Sequence, residues 1–141
     1  MTNFIGRAAV SMGPATMRVT MTTSLLIVDD STFSRNMIRR ALPVDWDVNI
    51  SEASNGHEAL DKCGVTQFDA IFLDLTMPDM DGLDVLLELQ NRDYKSKILI
   101  ISADIQQSSM AISKERGAID FLAKPISQEK LAAMLQLHKV L

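Results

Sequence analysis

At 141 residues, 47% of them apolar, the chain suits one domain with a single core, and five Phe, one Trp and one Tyr make that core mainly aliphatic. A net charge of −4 argues against a nucleic-acid binder, which carries a basic face. No apolar stretch reaches the roughly 20 residues of a membrane span, and a lone cysteine, Cys63, allows no intrachain disulfide, so the reading is a cytoplasmic, membrane-free protein.

The chain opens on a segment unlike the rest. Its first twenty residues hold Arg7 and Arg18, no acids, and three of the nine methionines. It reads as a flexible N-terminal extension over 1–22, with Met21 as a natural start, ahead of a domain over 23–141. The first apolar run, 25–28, predicts a strand. Phe33, Met37, Ile38, Ala41 and Leu42 then recur at helical spacing and predict a helix over 32–42, ended by Pro43.

A second strand is expected at 48–52 and a helix over 56–65, with Gly64 near its end. The third strand, 70–74, runs into acid, proline and glycine before a helix over 82–91. A fourth strand at 98–102 precedes a helix over 105–116, closed near Gly117. The fifth strand, 119–122, leads to a last helix over 127–139, with Ser127 as a candidate cap. Strands one, three and four are almost continuously apolar, as strands covered on both faces are. Five strand–helix units point to an open, doubly wound parallel sheet with helices on both sides. Ligands of such sheets bind beyond the carboxyl ends of the strands, where strand order reverses.

Those ends carry chemistry. Asp29 and Asp30 follow the first strand, Asp74 ends the third, Ser102 the fourth, and Lys124 follows the fifth. Singly each has a plain structural use, as cap, loop hydroxyl or solvated charge. Together, three carboxylates in one cleft repel one another, and a divalent cation relieves that repulsion. An all-oxygen set with few protein ligands suits Mg²⁺ better than Ca²⁺, and no His or Cys stands at zinc spacing. With a cation, a lysine and a hydroxyl around it, Asp74 becomes a plausible nucleophile toward a phosphoryl group. Neither a G-x-x-x-x-G-K-[ST] loop nor a G-x-G-x-x-G after the first strand is present.

From about residue 25 onward, five-sixths of its length, the chain resembles the receiver domain of bacterial two-component response regulators. The resemblance rests on L-L-I-V-D-D-S (25–31), N-G-x-E-A-L (55–60), D-L-T-M-P-D-M-D-G-L (74–83), I-S-A (101–103) and A-K-P (123–125) at their joint spacing. It implies a flavodoxin-like five-stranded sheet of order 2-1-3-4-5. It implies Asp74 as phospho-acceptor and Asp29, Asp30, Asp74 and the Thr76 backbone carbonyl as ligands of Mg²⁺. Lys124 would contact the phosphoryl group, ahead of a cis bond to Pro125. Ser102 and Phe121 take the switch positions, Phe121 where better-known relatives have Tyr. Thr76 and Asp104 take positions that tune phosphoryl lifetime, and Asp104 is a candidate for holding an attacking water.

The same resemblance implies a stand-alone, chemotaxis-type regulator rather than an enzyme. Its phosphoryl group would come from a sensor histidine kinase or a histidine phosphotransfer protein. Its output would be a protein target bound through residues 105–139, from a monomer or from a dimer formed on phosphorylation. A phosphorelay shuttle is the sibling reading. A metal-dependent aspartyl phosphatase is the remote one, since it wants an acid where this chain has Thr76.

Some residues stay outside this scheme. Phe33 with Met37 reads equally as core or as a docking patch for the phosphoryl donor. Cys63 reads as an inert, partly buried thiol, and His57 and His138 as surface residues. Arg39 and Arg40 read as a solvated face, and Met77 and Met80 as packing in the acceptor loop.

Overall fold

The computed structural model describes residues 22–141, so the expected extension lies outside the described residues except for Thr22. Strands β1 (Thr23–Val28), β2 (Val48–Ala53), β3 (Ala70–Leu73), β4 (Lys97–Ser102) and β5 (Ala118–Ala123) alternate with helices α1 (Thr32–Ala41), α2 (Gly56–Val65), α3 (Gly82–Asn91), α4 (Gln107–Glu115) and α5 (Gln128–Leu137). All strand pairs are parallel and the order is β2-β1-β3-β4-β5, as expected.

Alternate residues of the central strands feed two cores, one per face, because successive side chains of a strand point to opposite sides. Leu26, Val28, Ile71, Leu73 and Ile100 pack with Leu60, Val85, Leu86 and Leu89 of α2 and α3. Leu25, Ile27, Phe72, Leu99 and Ile101 pack with Ile38 of α1 and with Leu131 and Leu135 of α5. Neither core includes a residue of α4.

Several expected boundaries move, each for a local reason. α1 stops at Ala41, because Leu42 precedes Pro43 and takes an extended conformation (φ −70°, ψ 148°). β3 stops at Leu73, which leaves Asp74 just beyond the strand rather than within it. α4 starts at Gln107 instead of 105, because the Gln106 amide bonds back to the Asp104 carboxylate at 3.1 Å. α2 keeps its expected bounds, with Gly64 one residue before its end. α5 begins after Ser127, whose side chain accepts from the Lys130 amide, and ends at Leu137 rather than 139. There Lys139 takes the left-handed region (φ 57°) and the Val140 amide reaches back to the Leu135 carbonyl at 2.8 Å. This is a Schellman closure with no glycine to announce it. Lys97 adds an ammonium on the His138 and Lys139 carbonyls, where the helix dipole favours a cation.

Candidate functional site

β1 and β3 are neighbours in register Val28↔Leu73, so Asp29 and Asp74 emerge side by side at the carboxyl edge. The backbone fixes both: the Asp29 amide donates to Ala53 of β2 and the Asp74 amide to Val28 of β1. This is the point where strand order reverses, the expected place for a ligand. The loop after Asp74 turns back tightly onto itself. The Gly82 amide donates to the Leu75 carbonyl at 2.9 Å, and a Cβ on Gly82 would stand 2.3 Å from the Asp74 carbonyl oxygen. Only glycine fits there.

Asp29, Asp30 and Asp74 each place a carboxylate oxygen within 4.8 Å of the others, a grouping that is unique among the described residues. Asp29 and Asp74 are 1% and 6% exposed, while Asp30 stands in solvent at the mouth. Lys124 answers them, with Nζ 2.6 Å from Asp29 Oδ2 and 3.2 Å from Asp74 Oδ2. Burial alone would lower the pKa of this ammonium, but the Asp29 bond and the Asp74 charge outweigh it and hold it above the usual lysine value. Three carboxylates against one ammonium leave two formal negative charges, which a divalent cation would match. The all-oxygen donors are those of a hard ion such as Mg²⁺, so the residues present fit the expected metal.

The expected hydroxyl also lies beside Asp74. Ser102 Oγ, 2% exposed at the end of β4, donates to Asp74 Oδ1 at 2.7 Å, and the Thr76 amide donates to the same oxygen at 3.2 Å. The Lys124–Pro125 bond is cis. Asp104 lies near Thr76, lining a shallow pocket with it. Its carboxylate accepts from the Gln106 amide and from Ser109 Oγ at 3.0 Å, which ties it to the start of α4. Phe121 is 40% exposed and lines a groove with Met110 and Lys114 of α4, so the ring stands outward while Ser102 already leans toward Asp74.

Phe33 is not a core residue, since it is 74% exposed, and Met37 beside it is 42% exposed. Both line a groove of about 630 Å³ that runs from Pro125 and Ile126 to the acidic cluster. Three expectations need correction. His138 is not a free surface residue: half-buried at the end of α5, it sits 2.8 Å from Asp120. Arg39 is not merely solvated, because with Arg35 it grips Glu52. Burial would raise the Glu52 pKa, but the bonds from the two arginines outweigh that and lower it. His57 is exposed, Met77 is buried and Met80 partly buried against the core, as expected, while Cys63 is buried in the core rather than partly so.

Sequence reasoning missed Ser34 and Arg35. Ser34 Oγ donates to Asp29 Oδ2 at 2.6 Å, and Arg35 donates to the Asp29 carbonyl at 2.6 Å while its other arm holds Glu52. The signal was their i+5 and i+6 spacing from Asp29, which places both on the first turn of α1 beside the strand end.

A doubly wound parallel sheet with an acidic cleft, a lysine and a hydroxyl at its switch point defines the class of CheY-like receivers. The chain belongs to the response regulator receiver domain family, whose model matches residues 25–136. It is 38% identical over 113 residues to the chemotaxis protein CheY of Listeria monocytogenes, covering 79% of this chain and 94% of that one. With CheY of Bacillus subtilis it shares 36% identity over 107 residues, 76% of this chain and 89% of that one. Among solved structures, the receiver domain of a putative Luxo repressor protein from Vibrio parahaemolyticus superposes with TM-score 0.78 at 29% identity, covering 84% and 90% of the two chains. The CheX–CheY–BeF3–Mg complex of Borrelia burgdorferi gives TM-score 0.74 at 28% identity, covering 82% and 89%. Receiver domains act as switches. Among the described residues, no helix is long and apolar enough to cross a membrane.

Proposed function

We propose that this chain is a Mg²⁺-dependent phosphoryl acceptor whose acceptor is Asp74 and whose output is a changed protein-binding surface. The observation that carries the reading is the joint setting of the Asp74 carboxylate. Lys124 and Ser102 each hold one of its two oxygens, and Asp29 and Asp30 stand beside it. Asp29, Asp30, Asp74 and the Thr76 carbonyl would hold Mg²⁺, which supplies positive charge against the phosphoryl oxygens.

The protein's own part is positioning. An Asp74 oxygen supplies the electron pair that forms the new P–O bond. The P–N bond of a phosphohistidine donor breaks, and its electron pair returns to the imidazole. Lys124, bridging Asp29 and Asp74 in the unmodified protein, is within reach of phosphoryl oxygens on Asp74, and the Ser102 hydroxyl can donate to another. The donor would be a sensor histidine kinase or a histidine phosphotransfer protein. The apolar groove with Phe33 and Met37 on one wall supports its docking beside the acceptor.

For output, the face over 105–139 carries the outward Phe121, which would turn inward as Ser102 is drawn to the phosphoryl group. The Borrelia relative, captured as CheX–CheY with BeF3 and Mg, supports a protein target. The phosphatase reading gains nothing, because Thr76 offers no general acid.

Acetyl phosphate with Mg²⁺ should label the full chain once, at an acid-stable, base-labile site, and Asp74→Asn should abolish the label. Persistent labelling of Asp74→Asn would remove the central claim.

A further inference from the structure

Asp29 is almost fully buried, so each of its oxygens needs a partner. Oδ1 accepts from the Ser31 amide at 2.9 Å. Oδ2 is shared: Lys124 Nζ and Ser34 Oγ both approach it at 2.6 Å. The two donors differ in kind. Lys124 is charged, comes from beyond β5, and also reaches Asp74. Ser34 is neutral and fixed on the first turn of α1, where Ser31 caps the helix.

An ammonium drawn toward a phosphoryl group on Asp74, or repelled by a divalent cation at the carboxylates, loosens its hold on Asp29. As the ammonium moves, Asp29 Oδ2 loses one of its two donors, and a buried carboxylate oxygen stripped of both is costly. A neutral hydroxyl can remain without repelling a cation. We propose that Ser34 is a positioning residue that keeps Asp29 Oδ2 satisfied and the carboxylate oriented while Lys124 leaves it. In its absence Lys124 becomes the sole donor to that oxygen, and the pair resists opening. The acidic cluster then gives way less readily to a divalent cation. This inference rests on the cation reading of the acidic cluster.

The test is Mn²⁺ affinity of the full, unphosphorylated chain, read by the free-ion electron paramagnetic resonance signal, so that no activity enters. Ser34→Ala should weaken Mn²⁺ binding about tenfold, the lower end of the loss when a ligand's hydrogen-bonded support is removed. Ser34→Thr, which keeps the hydroxyl, should bind within about twofold of wild type. In a Lys124→Ala background the Ser34→Ala loss should vanish, because no ammonium is left to lock onto Asp29.

Wild-type affinity in Ser34→Ala would overturn the inference. So would an equal loss in both backgrounds, which would make Ser34 a mere prop for the carboxylate, independent of Lys124. Absence of Mn²⁺ binding by wild type would overturn the cation reading itself. Binding by wild type with no Ser34 effect would overturn this inference alone.

Discussion

Lys124 is the counter-charge of the acidic cluster, 23% exposed and in contact with two buried carboxylates. Removing it leaves Asp29 and Asp74 facing each other with no cation, which breaks a buried pair from one side. Lys124→Ala should therefore destabilise the cation-free protein by about 3 kcal/mol, read as a drop in urea midpoint at unchanged slope. The pH dependence has a definite sign. The folded pKa of Lys124 lies above its ordinary 10.5, so its contribution is fully present below that value. It is lost as pH rises through the higher folded value. The stability gap between wild type and Lys124→Ala should thus be flat through neutral pH and close only in the alkaline range above 10.5. Tyr94, whose phenol burial pushes up to about 12, titrates there too. It is present in both proteins and cancels in the difference. No gap at neutral pH, or one that persists undiminished at the alkaline end, would count against the ion-pair account.

Among the helices α4 is held differently. α1, α2, α3 and α5 each place apolar side chains in a core, whereas the buried residues of α4 are Ser109 and Ser113. Ser113 Oγ bonds back to carbonyls of its own helix, and Ser109 Oγ spends itself on Asp104. With so little apolar burial, α4 should open at lower free energy than its neighbours. Native-state hydrogen exchange should show the α4 amides exchanging at least tenfold faster than those of α1, α3 and α5. Protection of α4 equal to theirs would sink this prediction. That looseness suits an element on the proposed output face, because a weakly anchored helix has a small barrier to a second position.

The sequence made α4 legible as a helix but not as a loose one. Its Met110 and Ile112 sit at plausible core positions, yet both stay only partly buried, because β5 is the sheet's edge and offers α4 little apolar surface. The acidic cleft was legible throughout, since Asp29, Asp74, Ser102 and Lys124 sit at strand ends and topology alone brings strand ends together. Ser34 and the Ser109 hold on Asp104 were not, because they depend on side-chain directions within first helical turns. The closure of α5 at Lys139 escaped for a related reason: a non-glycine residue in the left-handed region leaves no mark in composition.

Taken whole, the molecule carries a net charge of −4 and concentrates three of its acids in one cleft at the sheet edge. That concentration is a cost to the fold without a cation and a gain with one, since only the folded chain gathers the ligands. Binding to the native state alone adds RT ln(1 + [L]/Kd), about 1.4 kcal/mol at tenfold excess over Kd. For a domain of this size that is an upward shift of about 5 °C in Tm. Part of any Mg²⁺ effect is plain screening of the net negative charge, so the comparison is with NaCl at matched ionic strength. Asp30 gives the cleaner control. Its side chain is exposed, so Asp30→Asn costs the cation-free fold little and slightly relieves repulsion within the cluster. The variant should melt at or just above the wild-type temperature without Mg²⁺ and lose most of the Mg²⁺ shift. An equal shift in both proteins, or one reproduced by NaCl, would mean that the cleft gathers carboxylates without gathering a cation.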